Sequence, residues 1–150
     1  MYKRQANAIC VADSAEILFI HANKVIKKQP LNTAAPFIGG AILGAFGIEL
    51  LLKSICSLLN PNNSFESGHS TQLKLYENIS EANNALAQEI ADEFHKETKK
   101  EVRVFLKDHA KSFSDWRYFG QKGENLNFDS SSCRKLTEIL KAKAKKLANS

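Results

Sequence analysis

The spacing of apolar and polar residues predicts helices along most of the chain. Apolar residues in the first segment, residues 3–28, recur every three or four positions, which indicates one amphipathic helix. They are Ala8, Val11, Ala12, Ala15, Leu18, Phe19, Ala22, Val25 and Ile26. Residues 30–36 include two prolines and separate this helix from a second one, which is expected to end at about Leu59 before an Asn-Pro-Asn-Asn string.

The second half of the chain is also helical in pattern, beginning with a short helix over about residues 70–79. No Pro or Gly occurs from Glu81 to Phe119, so this stretch forms either one helix of about 58 Å or two helices joined near Lys99. We favour the break. Three serines, residues 130–132, offer N-caps for a closing helix.

No segment shows the alternation of a β-strand, and no long internal repeat is visible. The expected fold class is therefore all-α, an up-and-down helical bundle of four main helices plus one or two short or terminal helices. We expect one domain covering residues 1–150.

The second predicted helix is apolar almost all the way round, which is typical of a helix in the middle of a bundle. Its first part, Ala34 to Ile48, has fifteen uncharged and mostly apolar residues, including Pro36 and four glycines. This segment falls short of the roughly 20 residues that a bilayer-crossing helix needs. We therefore predict a buried core helix and no membrane association.

Glu49 interrupts an apolar stripe of this helix, where an unpaired carboxylate is costly, so a basic partner is expected. Lys53, four residues later, can pair with it, and Arg117, His69 or His109 could reach it from other helices. One interpretation is a structural ion pair that fixes the register of the helices. The other is a polar site in the interior of the bundle.

Three glycines, Gly40, Gly44 and Gly47, align on the opposite side of the same helix. Glycine in mid-helix costs roughly 1 kcal/mol relative to alanine, which suggests that another backbone approaches closely. The small residues of the first helix are one candidate neighbour, and the same face of a second subunit is the other.

Composition narrows the class of protein. With 150 residues, 43% of them hydrophobic and 25% charged, the chain can bury a real core and is neither a stapled miniprotein nor a multidomain enzyme. Three widely spaced cysteines argue against a disulfide framework and a zinc site, which favours a reducing cytoplasm. Phosphate-binding glycine loops and common hydrolase motifs are absent, so no cofactor or metal is expected.

The net charge of +5 is concentrated at the end of the chain. From Cys133 onward there are six bases and one acid, whereas the preceding 132 residues carry fifteen of each sign. One interpretation is a salt-dependent attraction of RNA. The other is favourable placement of lysines at a helix C-terminus, together with solubility.

Three strings between residues 36 and 119 form a recognisable layout. They are Ile48-Glu49-Leu50-Leu51-Leu52-Lys53, then Gly68-His69 followed by Leu73, Leu75 and Tyr76, then Phe113-Ser114-Asp115-Trp116-Arg117-Tyr118. This layout resembles small bacterial HEPN-like proteins (higher eukaryotes and prokaryotes nucleotide-binding). The resemblance implies a helical bundle, usually a homodimer, and in active members a metal-independent ribonuclease. It also implies a toxin-antitoxin or phage-defence setting, with RNA or a cognate protein as partner.

The catalytic signature of that family is an Arg followed after four to six residues by a His, with a polar residue directly after the Arg. Arg103 and His109, with five residues between them, match the spacing. An imidazole can exchange a proton with a ribose 2′-hydroxyl or the leaving oxygen, and a guanidinium can bind the phosphate. Val104 departs from the family pattern, and six helical steps separate the pair by about 120°.

Two hypotheses follow. In the first, the protein binds or cleaves RNA, with His109 and Arg103 as catalytic residues. Four further polar residues then act in binding: Arg117, Glu49, Lys53 and His69. In the second, the chain is a non-catalytic helical interaction or regulatory module, antitoxin-like or an inactive relative, in which His109 is a core residue and Arg117 pairs with Glu49.

Overall fold

The computed structural model describes residues 2–26, 34–62, 71–109 and 129–150. Within these ranges it contains six α-helices and no β-strand, which confirms the all-α helical bundle. The helices are α1 Tyr2–Ile26, α2 Ala34–Leu59, α3 Gln72–Ala82, α4 Asn84–Thr98, α5 Val102–His109 and α6 Ser130–Ala148.

Single residues set the boundaries around α4. Asn83 ends α3 by donating its N–H to the carbonyl of Ile79 (2.8 Å), and its side-chain oxygen starts α4 by accepting from the N–H of Leu86 (3.1 Å). Lys99 ends α4 in the left-handed conformation, with φ of 61°. A left-handed residue cannot continue a right-handed helix, so the predicted break near Lys99 is confirmed.

The closing helix, α6, begins at a different cap from the one predicted. Its N-cap is Asp129 rather than one of the three serines. Asp129 Oδ1 accepts from the N–H of Ser132 (3.0 Å), and its Oδ2 accepts from the Ser132 hydroxyl (2.7 Å). Aspartate caps a helix as well as serine does, and here it gains a hydrogen bond from a side chain in the first turn.

The core lies around α2, which contacts α1, α3 and α6. Leu51, Leu52 and Ile55 of α2 are fully buried, in agreement with its predicted central position. The large side chains buried with them are Leu75, Tyr76, Ile79, Ile90, Phe94, Leu106, Leu136 and Leu140. All six helices except α1 contribute to this set, and α1 adds alanines instead.

One stretch in the described part of the chain, Ile38–Leu59 of α2, is long and apolar enough to cross a membrane. Half of its most apolar window is buried by the rest of the chain. The helices packed on α2 therefore account for much of this hydrophobicity.

The small-residue side of α2 packs against α1 of the same chain. A Cβ atom added to Gly47 would lie 3.2 Å from Ala12 Cα and 3.3 Å from Ala12 N. Gly44 lines a small cleft together with Ala12 and Ala15. Packing within the subunit is therefore shown for Gly47, whereas a subunit contact at the cleft beside Gly44 stays a prediction.

Candidate functional site

Arg103, the candidate phosphate-binding residue, lies in the first turn of α5 and is held by two consecutive residues of α3. Its Nε donates to Glu77 Oε1 (2.6 Å), and its Nη2 donates to Glu77 Oε2 (3.4 Å). The guanidinium lies over the ring of Tyr76, 5.1 Å from the centroid. The hydrogen bond that Arg103 donates to Glu77 raises the pKa of Arg103 above its ordinary value, so the side chain stays charged.

Tyr76 is a fixed support for this guanidinium. Its ring is buried, and its hydroxyl donates to the carbonyl of Ala87 in α4 (2.7 Å). Burial raises the pKa of Tyr76, which keeps the phenol protonated. Tyr76 therefore connects α3 to α4 and presents its ring to α5.

His109, the candidate general base or acid, is the last residue of α5 and is half-buried. Its ring stacks on Phe105 with 4.0 Å between ring centroids and 26° between planes. Its Nδ1 lies 2.9 Å from the carbonyl oxygen of Phe105. Because a carbonyl oxygen only accepts, Nδ1 carries the proton, and Nε2 is the basic nitrogen of the neutral ring.

The two candidate catalytic residues occupy one continuous helix, so their relative position follows from helix geometry. Six residues correspond to about 120° of rotation and about 9 Å of rise. Arg103 accordingly turns toward α3, whereas His109 shares the side of α5 that carries the buried Phe105. A single subunit thus presents the two groups on different sides of α5.

Glu49 and Lys53 form the ion pair that their spacing predicts. Lys53 Nζ donates to Glu49 Oε1 at 2.5 Å, and both side chains are half-buried. The expected basic partner of Glu49 is therefore on its own helix. His69 and Arg117, the other two predicted binding residues, lie outside the described residues.

The basic residues of α6 are mostly paired with acids of other helices. Arg134 Nη2 contacts Glu16 of α1 (3.1 Å), and Lys141 pairs with Asp13. The remaining pairs with α4 are Lys143 with Glu89 and Glu93, and Lys135 with Glu97, while Lys135 also pairs with Glu138 of α6 itself. Only Lys145 and Lys146 of this helix form no ion pair within the described ranges, so little of the terminal positive charge is left uncompensated.

Two cysteines of the core are chemically quiet. Burial raises the pKa of Cys56 to about 11 and that of Cys133 to about 12. Both therefore remain thiols at neutral pH, which is the unreactive form. In the described part of the chain, no group of three or more His, Cys, Asp or Glu is arranged to hold a metal ion.

Glu77 is the contact of the candidate site that sequence reasoning does not identify. It lies 26 residues before Arg103, on a different helix. No local spacing connects two residues at that distance, and only the packing of α3 against α5 reveals the pair.

Comparison with protein-family models, with curated proteins and with solved structures finds no match to this chain.

Proposed function

We propose that this protein is a HEPN-like helical protein that binds RNA and cleaves it without a metal ion. The observation that carries the proposal is the orientation of His109. Its Nδ1 is held by the Phe105 carbonyl, which makes Nε2 the nitrogen of the neutral ring that can accept a proton. A hydrogen bond that fixes the tautomer in this way is typical of histidines that transfer protons.

The reaction needs one base, one acid and one cation. The imidazole takes the proton of a ribose 2′-hydroxyl while the 2′-oxygen attacks the adjacent phosphorus, the bond from phosphorus to the 5′-oxygen breaks, and the 5′-oxygen takes a proton from water. The products are a 2′,3′-cyclic phosphate and a 5′-hydroxyl. The Arg103 guanidinium offsets the negative charge that develops on the phosphoryl oxygens.

A homodimer is the active form that this chemistry favours. Within one subunit, about 120° of helix rotation separates Arg103 from His109. Arg103 of one subunit and His109 of the other could meet at one phosphate, in line with the homodimer that the resemblance implies. The same resemblance implies a toxin-antitoxin pair or phage defence, and the three widely spaced cysteines favour the cytoplasm.

A second candidate function is a non-catalytic interaction module, and the environment of Arg103 favours it. Glu77 already neutralises the guanidinium, and the residue after Arg103 is the exposed, apolar Val104 rather than a polar one. In this case the Arg103–Glu77 pair joins α5 to α3, and the partner is a cognate protein.

Incubation with total RNA in the presence of EDTA separates the two functions. We expect the wild-type protein to produce fragments with cyclic phosphate ends and His109→Ala to produce none. His95→Ala, which changes an exposed histidine of α4, is the matched control and should cleave normally. Circular dichroism verifies that each variant is folded.

Binding of RNA without cleavage, at every salt concentration and pH tested, would support an inactive relative. Neither binding nor cleavage by the wild type would overturn the RNA proposal and favour the interaction module.

A further inference from the structure

We propose that Glu77 occupies the phosphate-binding edge of Arg103 and that an RNA phosphate must displace it, so that Glu77 sets the affinity for RNA. This inference rests on the proposed RNA-binding function and adds a regulatory residue to that site. Glu77 contacts Arg103 through Nε and Nη2, one edge of the guanidinium. A phosphate uses the same paired donors, because its oxygens accept two parallel hydrogen bonds as a carboxylate does.

The pair lies where a large anionic ligand can reach it. The side chains of Arg103 and Glu77 are 51% and 42% exposed. Water and salt screen such exposed pairs, so the carboxylate holds the guanidinium only weakly. A polyanion gains in addition from the release of its counterions, which a single carboxylate does not offer. Exchange of Glu77 for a phosphate is therefore feasible.

Displacement of Glu77 would leave Arg103 in place, because the guanidinium has a second support. The Tyr76 ring lies beneath it, and the Tyr76 hydroxyl is anchored to the Ala87 carbonyl. The attraction between the cation and the ring face persists when the carboxylate moves away. Lys107, one helical turn after Arg103, is also exposed and adds a positive charge to the same face of α5.

Titration of a fluorescein-labelled single-stranded RNA, followed by anisotropy, tests this inference. Glu77→Gln keeps the shape of the side chain and removes its charge. Glu81→Gln, at an exposed position one turn later on α3, changes the net charge equally and is the matched control. We expect Glu77→Gln to tighten binding about fivefold and Glu81→Gln to tighten it less than about twofold.

The double variant Glu77→Gln/Arg103→Ala shows whether Arg103 carries the effect. We expect the gain from Glu77→Gln to disappear in this background. Equal effects of Glu77→Gln and Glu81→Gln, or a gain that survives the loss of Arg103, would overturn the role of Glu77 while leaving RNA binding intact. Failure of both wild type and Glu77→Gln to bind RNA would instead overturn the proposed function and this inference with it. If Glu77→Gln binds RNA and the wild type does not, the result would support the inference, because the Glu77 carboxylate would then block the site.

Discussion

Lys143 of α6 and Arg103 of α5 each reach from one helix to glutamates of another, but at different depths. The Lys143 side chain is 11% exposed and contacts Glu89 at 3.0 Å and Glu93 at 2.5 Å. Arg103 is half-exposed, and within the described residues it forms an ion pair with a single glutamate, Glu77. Burial of Lys143 weakens the screening of its charge by water and salt, so we interpret its contacts with Glu89 and Glu93 as part of the packing between α4 and α6. The exposed Arg103 can exchange the Glu77 carboxylate for another anion.

The largest expected effect comes from removing the buried cation. Lys143→Ala should lower the free energy of unfolding by about 2 kcal/mol, mainly because the packing of its buried stem is lost, and two half-exposed glutamates also lose their shared partner. Urea denaturation measures the change. Arg103→Ala, the exposed counterpart, should cost less than about 1 kcal/mol. Equal losses for the two variants would show that burial does not distinguish these clusters.

Asp129 connects the two regions, since it caps α6 and pairs with Lys100, just before α5. Burial alone would raise the pKa of Asp129, but hydrogen bonds from Lys100 and Ser132 lower it to about 2. The ordinary value is 3.8, so the carboxylate stabilises the fold above about pH 4 and loses this effect as the pH falls toward 2.

Asp129→Asn keeps a capping oxygen and removes this titration. We expect a loss of about 1 kcal/mol at neutral pH and a smaller decline between pH 4 and pH 2 than in the wild type. Thermal unfolding as a function of pH measures both. An identical decline in the two proteins would assign the acid sensitivity to other carboxylates.

The smallest effect tests the contact of α1 with α2. Alanine gains up to about 1 kcal/mol over glycine in a helix, but at Gly47 its Cβ would press on the Ala12 backbone. We expect Gly47→Ala to be about 1 kcal/mol less stable than Gly44→Ala, which places its methyl group beside a cleft. Urea denaturation compares them. Equal stability, with a changed sedimentation coefficient for either variant, would favour a subunit interface on this face.

The helices were predictable because their signals are local. Apolar spacing identified α1 and α2. A break near Lys99 was one of two predictions for a stretch without Pro or Gly, the other being one long helix. The predicted N-cap of α6 was wrong because Asp129 and the following serines are all good caps. Only the side-chain contact with Ser132 distinguishes Asp129 from the serines. Local chemistry therefore predicts that a helix exists more reliably than it predicts its first residue.

The candidate site was predictable only in part. The spacing of Arg103 and His109 is visible in the chain, and so is the pairing of Glu49 with Lys53 one turn later. Glu77 was not predictable, because its contact with Arg103 depends on how α3 packs against α5. The stacking of His109 on Phe105 was easier to predict, because Phe105 lies one turn earlier on the same helix.

The sequence by itself determined that the chain is helical, that α2 is its most apolar helix and that the excess positive charge lies near the C-terminus. Periodicity and composition determine these features residue by residue. The tertiary structure decided which bases remain uncompensated, by placing Asp13, Glu16, Glu89 and Glu93 against α6. It also decided that Arg103 faces Glu77, because electrostatic interactions depend on distances between side chains, which the order of residues does not specify.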